Sequence, residues 1–205
     1  MAGGSGSRMK STVPKQFLLI DDVPILVHTI RKFLDFDTSI NLVVVLPSSH
    51  LSEWEDIKSQ YFKETPIHIA RGGSTRSESV KAGLEFVSEG LVAIHDAVRP
   101  FVSLDTIAAS FDAASKHGSG VATIQLKDSI RELEGTSSIA RDRSNFVLVQ
   151  TPQTFKVHDL KNAYAIAGEK SFTDDASVFE AAGNTVCLVE GTYDNIKITT
   201  PEDLK

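Results

Sequence analysis

Residues 24–46 read PILVHTIRKFLDFDTSINLVVVL, and the spacing of apolar residues changes halfway along. In the first half Ile25, Leu26, Thr29, Ile30, Phe33 and Leu34 fall on one broad face of a helix. The second half ends in NLVVVL (41–46), a short β-branched run that reads as a strand. The alternation continues along the chain. PIHIA (66–70), LVAIH (91–95), GVATIQL (120–126) and TVCLV (185–189) read as further strands. Between them, Thr75 and Glu78 have capping-box spacing ahead of SVKAGLEFV, and Ser103 is placed to cap a helix that stops at Gly118. This pattern predicts an α/β protein with a mainly parallel sheet flanked by helices. Near 127–150 the rhythm breaks: DSIRELE and FVLVQ flank the polar stretch EGTSSIARDRSN, which predicts an arm or hairpin leaving the main sheet. With no repeat and no long linker, residues 1–205 read as one domain.

The composition bounds the function classes. A net charge of −6 argues against general nucleic-acid binding, since a duplex repels an acidic surface. No run approaches the roughly 18 apolar residues of a membrane span, and the expected compartment is the cytoplasm. The single Cys187 has no internal disulfide partner and reads as a small core hydrophobe in a strand. Both ends look abrupt. In doubly wound folds a glycine loop follows the first strand, so a strand of about six to eight apolar residues is expected ahead of Ala2. At the other end TTPEDLK has a helix start, with Pro201 in its first turn, and almost no helix after it.

Four stretches carry chemistry. In AGGSGSRM, Gly3, Gly4 and Gly6 allow backbone amides to approach phosphate oxygens, or form an ordinary turn; Arg8 and then Lys15 after Pro14 favour a polyphosphate. In ARGGSTRSESVKAGL (70–84), Gly72 and Gly73 join a strand end to a capped helix start, where free amides suit an anion or a polar edge; the plainer reading is a turn with Arg71 and Arg76 solvated. In AIHDAVRPF (93–101), His95, Asp96 and Arg99 stand at the carboxyl end of an apolar strand, where open α/β sheets bind ligands. His95 reads as structural, Asp96 and Arg99 as functional. Finally, VQTPQTF (149–155), FTDDASVFEAAG (172–183) and GTYDNIKITTPEDL (191–204) add polar groups. Asp174 and Asp175 read as a helix N-cap and its neighbour rather than a metal pair, and Lys197, between Ile196 and Ile198, reads as facing an anion from a final strand.

Taken together, AGGSGSRM…PKQF, GG-x-x-R-x-x-SV-x-x-GL, HDAVRPF, QTPQ-x-F, TDDAS-x-x-E-x-x-G and NIKIT-x-P-x-DL resemble the 2-C-methyl-D-erythritol 4-phosphate cytidylyltransferases of the non-mevalonate isoprenoid pathway, in order over essentially the whole chain. The resemblance implies a Rossmann-like nucleotidyltransferase that joins CTP to methylerythritol phosphate and releases pyrophosphate. It further implies a homodimer whose arms share the active sites, and Mg²⁺ held mainly by the CTP phosphates with no protein ligand assigned. By the same resemblance Ala2, Gly3, Gly4, Gly6, Gly73, Ser74, Ser79 and Ala97 bind CTP, while Arg8, Lys15, Arg143 and Lys197 stabilise charge during transfer. Asp96, Arg99, Ser129, Thr151 and Thr199 then contact the second substrate. Two positions depart from the family: Ser74 stands where many members are acidic, and Ser129 where threonine is common. Transferases for other polyol phosphates, such as ribitol 5-phosphate, share HDAVRPF and NIKITTP, but TDDAS and the R-x-x-SV pairing favour methylerythritol phosphate. The intact cations disfavour an inactive nucleotide-binding relative, and Arg8 in place of a third glycine disfavours a dehydrogenase.

Overall fold

A computed structural model describes residues 1–2, 13–168 and 170–204. Two short strands, β1 (Leu19–Ile20) and β2 (Val23–Pro24), pair across a turn at Asp21 and Asp22, both at positive φ, and lead into the first helix. That helix, α1 (Ile25–Phe36), buries the face read from its spacing: Ile25, Leu26, Thr29, Ile30 and Phe33. There follow β3 (Leu42–Leu46), α2 (Leu51–Tyr61), β4 (Ile67–Arg71), α3 (Arg76–Leu84), β5 (Leu91–Ile94), α4 (Leu104–His117) and β6 (Ser119–Gln125). Both predicted caps form. The Thr75 hydroxyl accepts from the Glu78 amide in a complete capping box, and Ser103 accepts from the Thr106 amide. Gly118 ends α4 at φ 91°, in the left-handed region that glycine enters without steric cost.

The carboxyl-terminal third consists of β7 (Ile130–Glu134), β8 (Ser137–Arg141), β9 (Val147–Lys156), α5 (Val157–Ala167), α6 (Asp175–Ala181) and β10 (Leu188–Glu190). One sheet has the order β10-β6-β9-β5, and β3 pairs with β4 beside it. The β10–β6 and β3–β4 pairs are parallel; β9 runs against both of its neighbours, so β5, β6 and β10 share one direction. The hydrophobic face of α1 packs with Val44 and Leu46 of β3 and with Trp54 and Ile57 of α2, while Val80 and Leu84 of α3 join Leu160 and Phe179 in a second core cluster with Phe155 of β9.

Three expectations change. The arm exists, but its two strands are β7 and β8, paired from Ile130↔Arg141 to Glu134↔Ser137. SSIAR (137–141), read as part of a polar stretch, is therefore a strand, because a ribbon with both faces in solvent needs no apolar alternation. FVLVQ instead begins β9, whose interior residues are buried through Phe155. Near the carboxyl end, β10 covers only Leu188–Glu190, and Cys187 is half-buried just outside it rather than a core residue. Lys197 lies in an irregular segment, not a strand, although Ile198 next to it is fully buried and its amide donates to Val98 O. Pro201–Leu204 forms a single 3₁₀ turn. Among the described residues no helix is long and apolar enough to cross a membrane.

The contact of β6 with α4 leaves no room for a side chain at Gly120. A Cβ there would stand 2.2 Å from the Ser110 carbonyl oxygen and 3.0 Å from the Ala113 methyl group. Gly120→Ala is expected to cost about 2 kcal/mol or more through overpacking, visible as a fall in Tm of at least about 4 °C in a thermal melt.

Candidate active site

The chain leaves β5 at Ile94 and turns through His95–Arg99, which brings a carboxylate and several cations together. Asp96 Oδ2 lies 3.1 Å from Lys197 Nζ and 3.1 Å from Arg99 Nε. Burial alone would raise the Asp96 carboxyl; the Lys197 ammonium and the Arg99 guanidinium outweigh it and hold the group far below the ordinary carboxylate range. Lys15 Nζ reaches within 3.5 Å of Ile198 O, one residue beyond Lys197. Two cations thus pair with one carboxylate, with Lys15 against the backbone one residue beyond Lys197, and a cluster with excess positive charge is suited to an anionic ligand.

Buried amides fix this cluster. Asn195, fully buried, donates from Nδ2 to Gln150 Oε1 (3.1 Å) and to Thr151 O (2.9 Å), and its backbone carbonyl accepts from Arg99 Nη1 at 2.8 Å. Gln150 Nε2 donates to Thr192 O at 2.8 Å, and the Thr151 hydroxyl accepts from the Asp96 amide at 3.1 Å. The end of β5, the middle of β9 and the irregular segment 192–198 are therefore cross-linked by polar contacts. Gln150 and Asn195 were quoted within motifs but given no role. The available signal was chemical: an amide side chain on an otherwise apolar strand must find partners once buried.

His95 has the structural role read for it. It is buried edge-on against Phe33, with ring centroids 5.0 Å apart, and its Nε2–H donates to Arg99 O at 3.2 Å. Because a carbonyl only accepts, Nε2 carries the proton and Nδ1 is left buried without a partner. Burial lowers the imidazolium pKa to about 3.

The second predicted stretch forms a compact turn at the end of β4. Gly72 N donates to Leu46 O (2.8 Å), and Gly73 N to the Ser79 hydroxyl (3.1 Å), which itself donates to Thr75 O (2.9 Å). A Cβ on Gly73 would meet the Glu78 Cβ at 2.4 Å, so only glycine fits this approach. Glu78 Oε2 accepts from the Ser74 amide (2.6 Å) and hydroxyl (2.8 Å) and from the Thr75 amide (3.2 Å). Gly73, Ser74 and Ser79 are thus brought together, with both serine hydroxyls engaged inside the turn.

Arg76, in the first turn of α3, is not solvated as its plain reading had it. Its Nη1 donates to Asp175 Oδ1 at 3.0 Å and its Nη2 to Oδ2 of the same carboxylate, a bidentate pair with a fully buried acid. The Tyr164 hydroxyl donates to Asp175 Oδ1 at 2.5 Å; burial, the Asp175 charge and this bond push the phenol far above its ordinary pKa. Asp174 caps α6 by accepting from the Ser177 amide at 3.1 Å, as expected. Gln153 Oε1 accepts from the amides of Asp175 (3.0 Å) and Ala176 (2.9 Å), tying β9 to the same helix start.

The remaining predicted residues divide. Ala2 is buried, with its amide donating to Val45 O at 3.0 Å, and the Ala97 amide donates to Met1 O at 3.0 Å, so both lie beside the end of β5. The Thr199 amide and hydroxyl donate to Asp203 Oδ2 at 2.8 and 3.2 Å. Ser129 and Arg143 are exposed in the arm, where Arg143 Nη1 donates to Lys127 O; among the described residues no hydrogen bond or ion pair joins them to Asp96. Gly3, Gly4, Gly6 and Arg8 lie outside the described residues.

Known proteins resemble this chain along its length. The sequence model of 2-C-methyl-D-erythritol 4-phosphate cytidylyltransferase (IspD) matches residues 1–205. A relative of that name from Phocaeicola vulgatus is 46% identical over 206 residues, spanning 100% of this chain and 94% of the relative. Another, from Bacteroides thetaiotaomicron, is 42% identical with the same coverage. Among solved structures, the Thermus thermophilus 2-C-methyl-D-erythritol 4-phosphate cytidylyltransferase superposes with a TM-score of 0.81 at 33% identity, covering 99% of this chain and 92% of that one. A 4-diphosphocytidyl-2C-methyl-D-erythritol synthase from Anaerococcus prevotii gives 0.85 at 28% identity, with 99% and 91% covered.

The neutral burial of His95 sets a pH dependence. Unfolding exposes an imidazole that takes up a proton below its ordinary value of 6.5, whereas the folded group does not until about pH 3. The unfolded state therefore binds more protons in this window, and stability falls as pH falls, by up to about 1.4 kcal/mol per pH unit. Denaturant unfolding of the native protein and His95→Gln between pH 6.5 and pH 4.5, above the main carboxylate range, should show this slope in the native protein and lose it in the variant.

Proposed function

We propose, for a chain that belongs to the 2-C-methyl-D-erythritol 4-phosphate cytidylyltransferase family, that the cation cluster around Asp96 is where the family's reaction takes place. The chain transfers the cytidylyl group of CTP to 2-C-methyl-D-erythritol 4-phosphate, giving 4-diphosphocytidyl-2-C-methyl-D-erythritol and pyrophosphate. In this reaction a phosphate oxygen of the acceptor forms a bond to the α-phosphorus of CTP while the bond to the bridging oxygen of pyrophosphate breaks. Both reactants are anions, so repulsion is the main obstacle. The attacking phosphate is already ionised and requires no general base, which is consistent with a neutral His95 buried away from proton chemistry.

The observation that carries this assignment is the juxtaposition of Lys197, Arg99 and Asp96 at 3.1 Å contacts, with Lys15 within 3.5 Å of the adjacent backbone. Lys15 and Lys197, with Arg8 from the glycine loop, stabilise the charge that builds on the α-phosphate; one pre-organised donor in such a site is typically worth about 3–4 kcal/mol. Asp96 holds Lys197 and Arg99 in place and, with Thr151 and Thr199, contacts the hydroxyls of the acceptor. The turn at Gly73, Ser74 and Ser79 reads the cytosine edge, and Ala2, Ala97, Gly3, Gly4 and Gly6 bind the rest of the CTP. Among the described residues no three His, Cys, Asp or Glu side chains converge, and Asp96 is already paired with two cations. This donor set fits Mg²⁺ carried by the triphosphate rather than caged by protein. Bound there, the ion would supply Lewis-acid stabilisation of phosphate charge. A single cysteine, with no possible internal disulfide partner, supports a reducing compartment such as the cytoplasm.

The arm supports a homodimer with shared sites. Leu133 is 81% exposed, and Ile139, Phe146 and Leu148 are also exposed on or beside a two-stranded ribbon that is marginal alone in water. Clasping by a second arm covers these residues and carries Arg143 and Ser129 to the partner's acceptor phosphate.

Lys197→Ala and Lys15→Ala are each expected to lower kcat by about 10² or more while changing the affinity for CTP less, which steady-state pyrophosphate release with separate nucleotide titration would measure. Shared sites make a distinct prediction. Arg143→Ala and Lys15→Ala chains, each nearly inactive alone, should regain activity when co-refolded, because one of the two sites in each heterodimer is then intact. Verified heterodimers without activity would place Arg143 outside the site.

A further inference from the structure

The arm joins the body of the protein through a narrow root. β6 stops at Gln125 and β9 starts at Val147, so residues 126–129 and 142–146 connect the last rung of the sheet to the β7–β8 ribbon. Residues 127–129 and 142–146 are exposed, and the bond from Arg143 Nη1 to Lys127 O ties the two legs of the arm to each other, not to the sheet. One side-chain contact does reach the body. Lys127 Nζ stands 3.5 Å from the centroid of the Tyr193 ring, well inside the roughly 6 Å over which a ring face attracts an ammonium. The Tyr193 hydroxyl donates to Gln125 O at 2.9 Å, which seats the ring against the end of β6. Among the described residues no other side-chain hydrogen bond, ion pair or ring contact ties 126–129 or 142–146 to a residue outside the arm.

We propose that Tyr193 is a positioning residue for the acceptor site: it clamps the root of the arm and so sets where Arg143 and Ser129 stand against the partner's cations. This rests on the shared sites proposed above. Lys127 is the residue through which the clamp acts, because its carbonyl holds Arg143 and Ser129 follows two residues later. The backbone that carries Tyr193 is anchored without help from the ring. Thr192 O accepts from Gln150 Nε2 at 2.8 Å and from the Asn195 amide at 3.2 Å, and the Gly191 amide donates to Thr123 O at 2.7 Å. Gly191 packs so closely that a Cβ on it would stand 2.4 Å from Gln150 Oε1. Lys197 is therefore held by Asp96 and the buried amides, whereas the arm root depends on the half-exposed tyrosine. Removing the ring frees the arm to swing and leaves the cation cluster in place.

Steady-state kinetics of Tyr193→Ala, Tyr193→Phe and Lys127→Ala, with 2-C-methyl-D-erythritol 4-phosphate and CTP varied separately, test the clamp. Tyr193→Ala and Lys127→Ala should each raise the acceptor KM by about fivefold or more while the CTP KM stays within about twofold. Tyr193→Phe keeps a ring for Lys127 and should recover most of the loss, and the double alanine variant should be no worse than either single one. Equal rises in both KM values, or an unchanged acceptor KM in Tyr193→Ala, would overturn the clamp. Purified heterodimers of a Tyr193→Ala chain with a Lys15→Ala chain locate the effect. Their working site has its own Lys15 but takes its arm from the chain with Tyr193 intact, so its acceptor KM should return to the native value. A KM that stays raised there, while Arg143→Ala and Lys15→Ala heterodimers regain activity, would place Tyr193 in its own chain's site and reject the clamp alone. No recovery in the Arg143 pair would reject the shared sites, and the clamp with them.

Discussion

The Asp96 carboxylate is the point on which the arrangement at the carboxyl end of β5 depends. It is mostly buried, and a lone charge there would be expelled or protonated. Lys197 and Arg99 make it tolerable, and in doing so they tie an irregular segment near the carboxyl terminus to the turn after β5. Removing either cation would leave a partly uncompensated buried charge. The pairing therefore serves stability and geometry together: the carboxylate that makes its own burial tolerable by pairing also keeps the two cations from spreading apart.

A second layer makes that arrangement rigid. Neutral amides, unlike charges, can be buried at modest cost when hydrogen-bonded, and Asn195, Gln150 and Gln153 act as joints where backbone elements cannot pair directly. The ion pair of Arg76 with Asp175 does the same for α3 and α6, so the turn carrying Gly73 is braced from below by a contact almost a hundred residues away in sequence. Positioning here comes from side-chain cross-links between helices and strand ends rather than from the strands alone.

Much of this was legible in the sequence where the cause is local. The amphipathic period of α1, the capping box at Thr75 and Glu78, the Ser103 cap and the Gly118 stop are decided within a few residues of chain, and each formed as read. So did the capping role of Asp174. What was misread depends on distant partners. Ile196 and Ile198 look like a strand, yet the segment is held by single bonds such as Ile198 N to Val98 O, and among the described residues it pairs with no strand. SSIAR looks like a loop because both faces of the arm are exposed, and exposure removes the alternation by which strands are recognised. Arg76 looks like a surface cation because nothing near it in sequence reveals that Asp175 lies fully buried beneath it.

The reversed strand β9 has a consequence for how the chain is made. It lies between β5 and β6, successive strands of the chain that are joined in the sheet through it. A nascent chain emerging from the ribosome therefore displays the facing edges of β5 and β6 unpaired until residues 147–156 have been synthesised and have entered from the opposite direction, and the far edge of β6 until β10 follows. Non-local closure of this kind is slow, and unpaired edges are sticky while they wait. The arm inserted between β6 and β9 lengthens that interval by some twenty residues. For this topology the hazardous period is co-translational, and protection of the edges by a chaperone matters most before the last quarter of the chain exists.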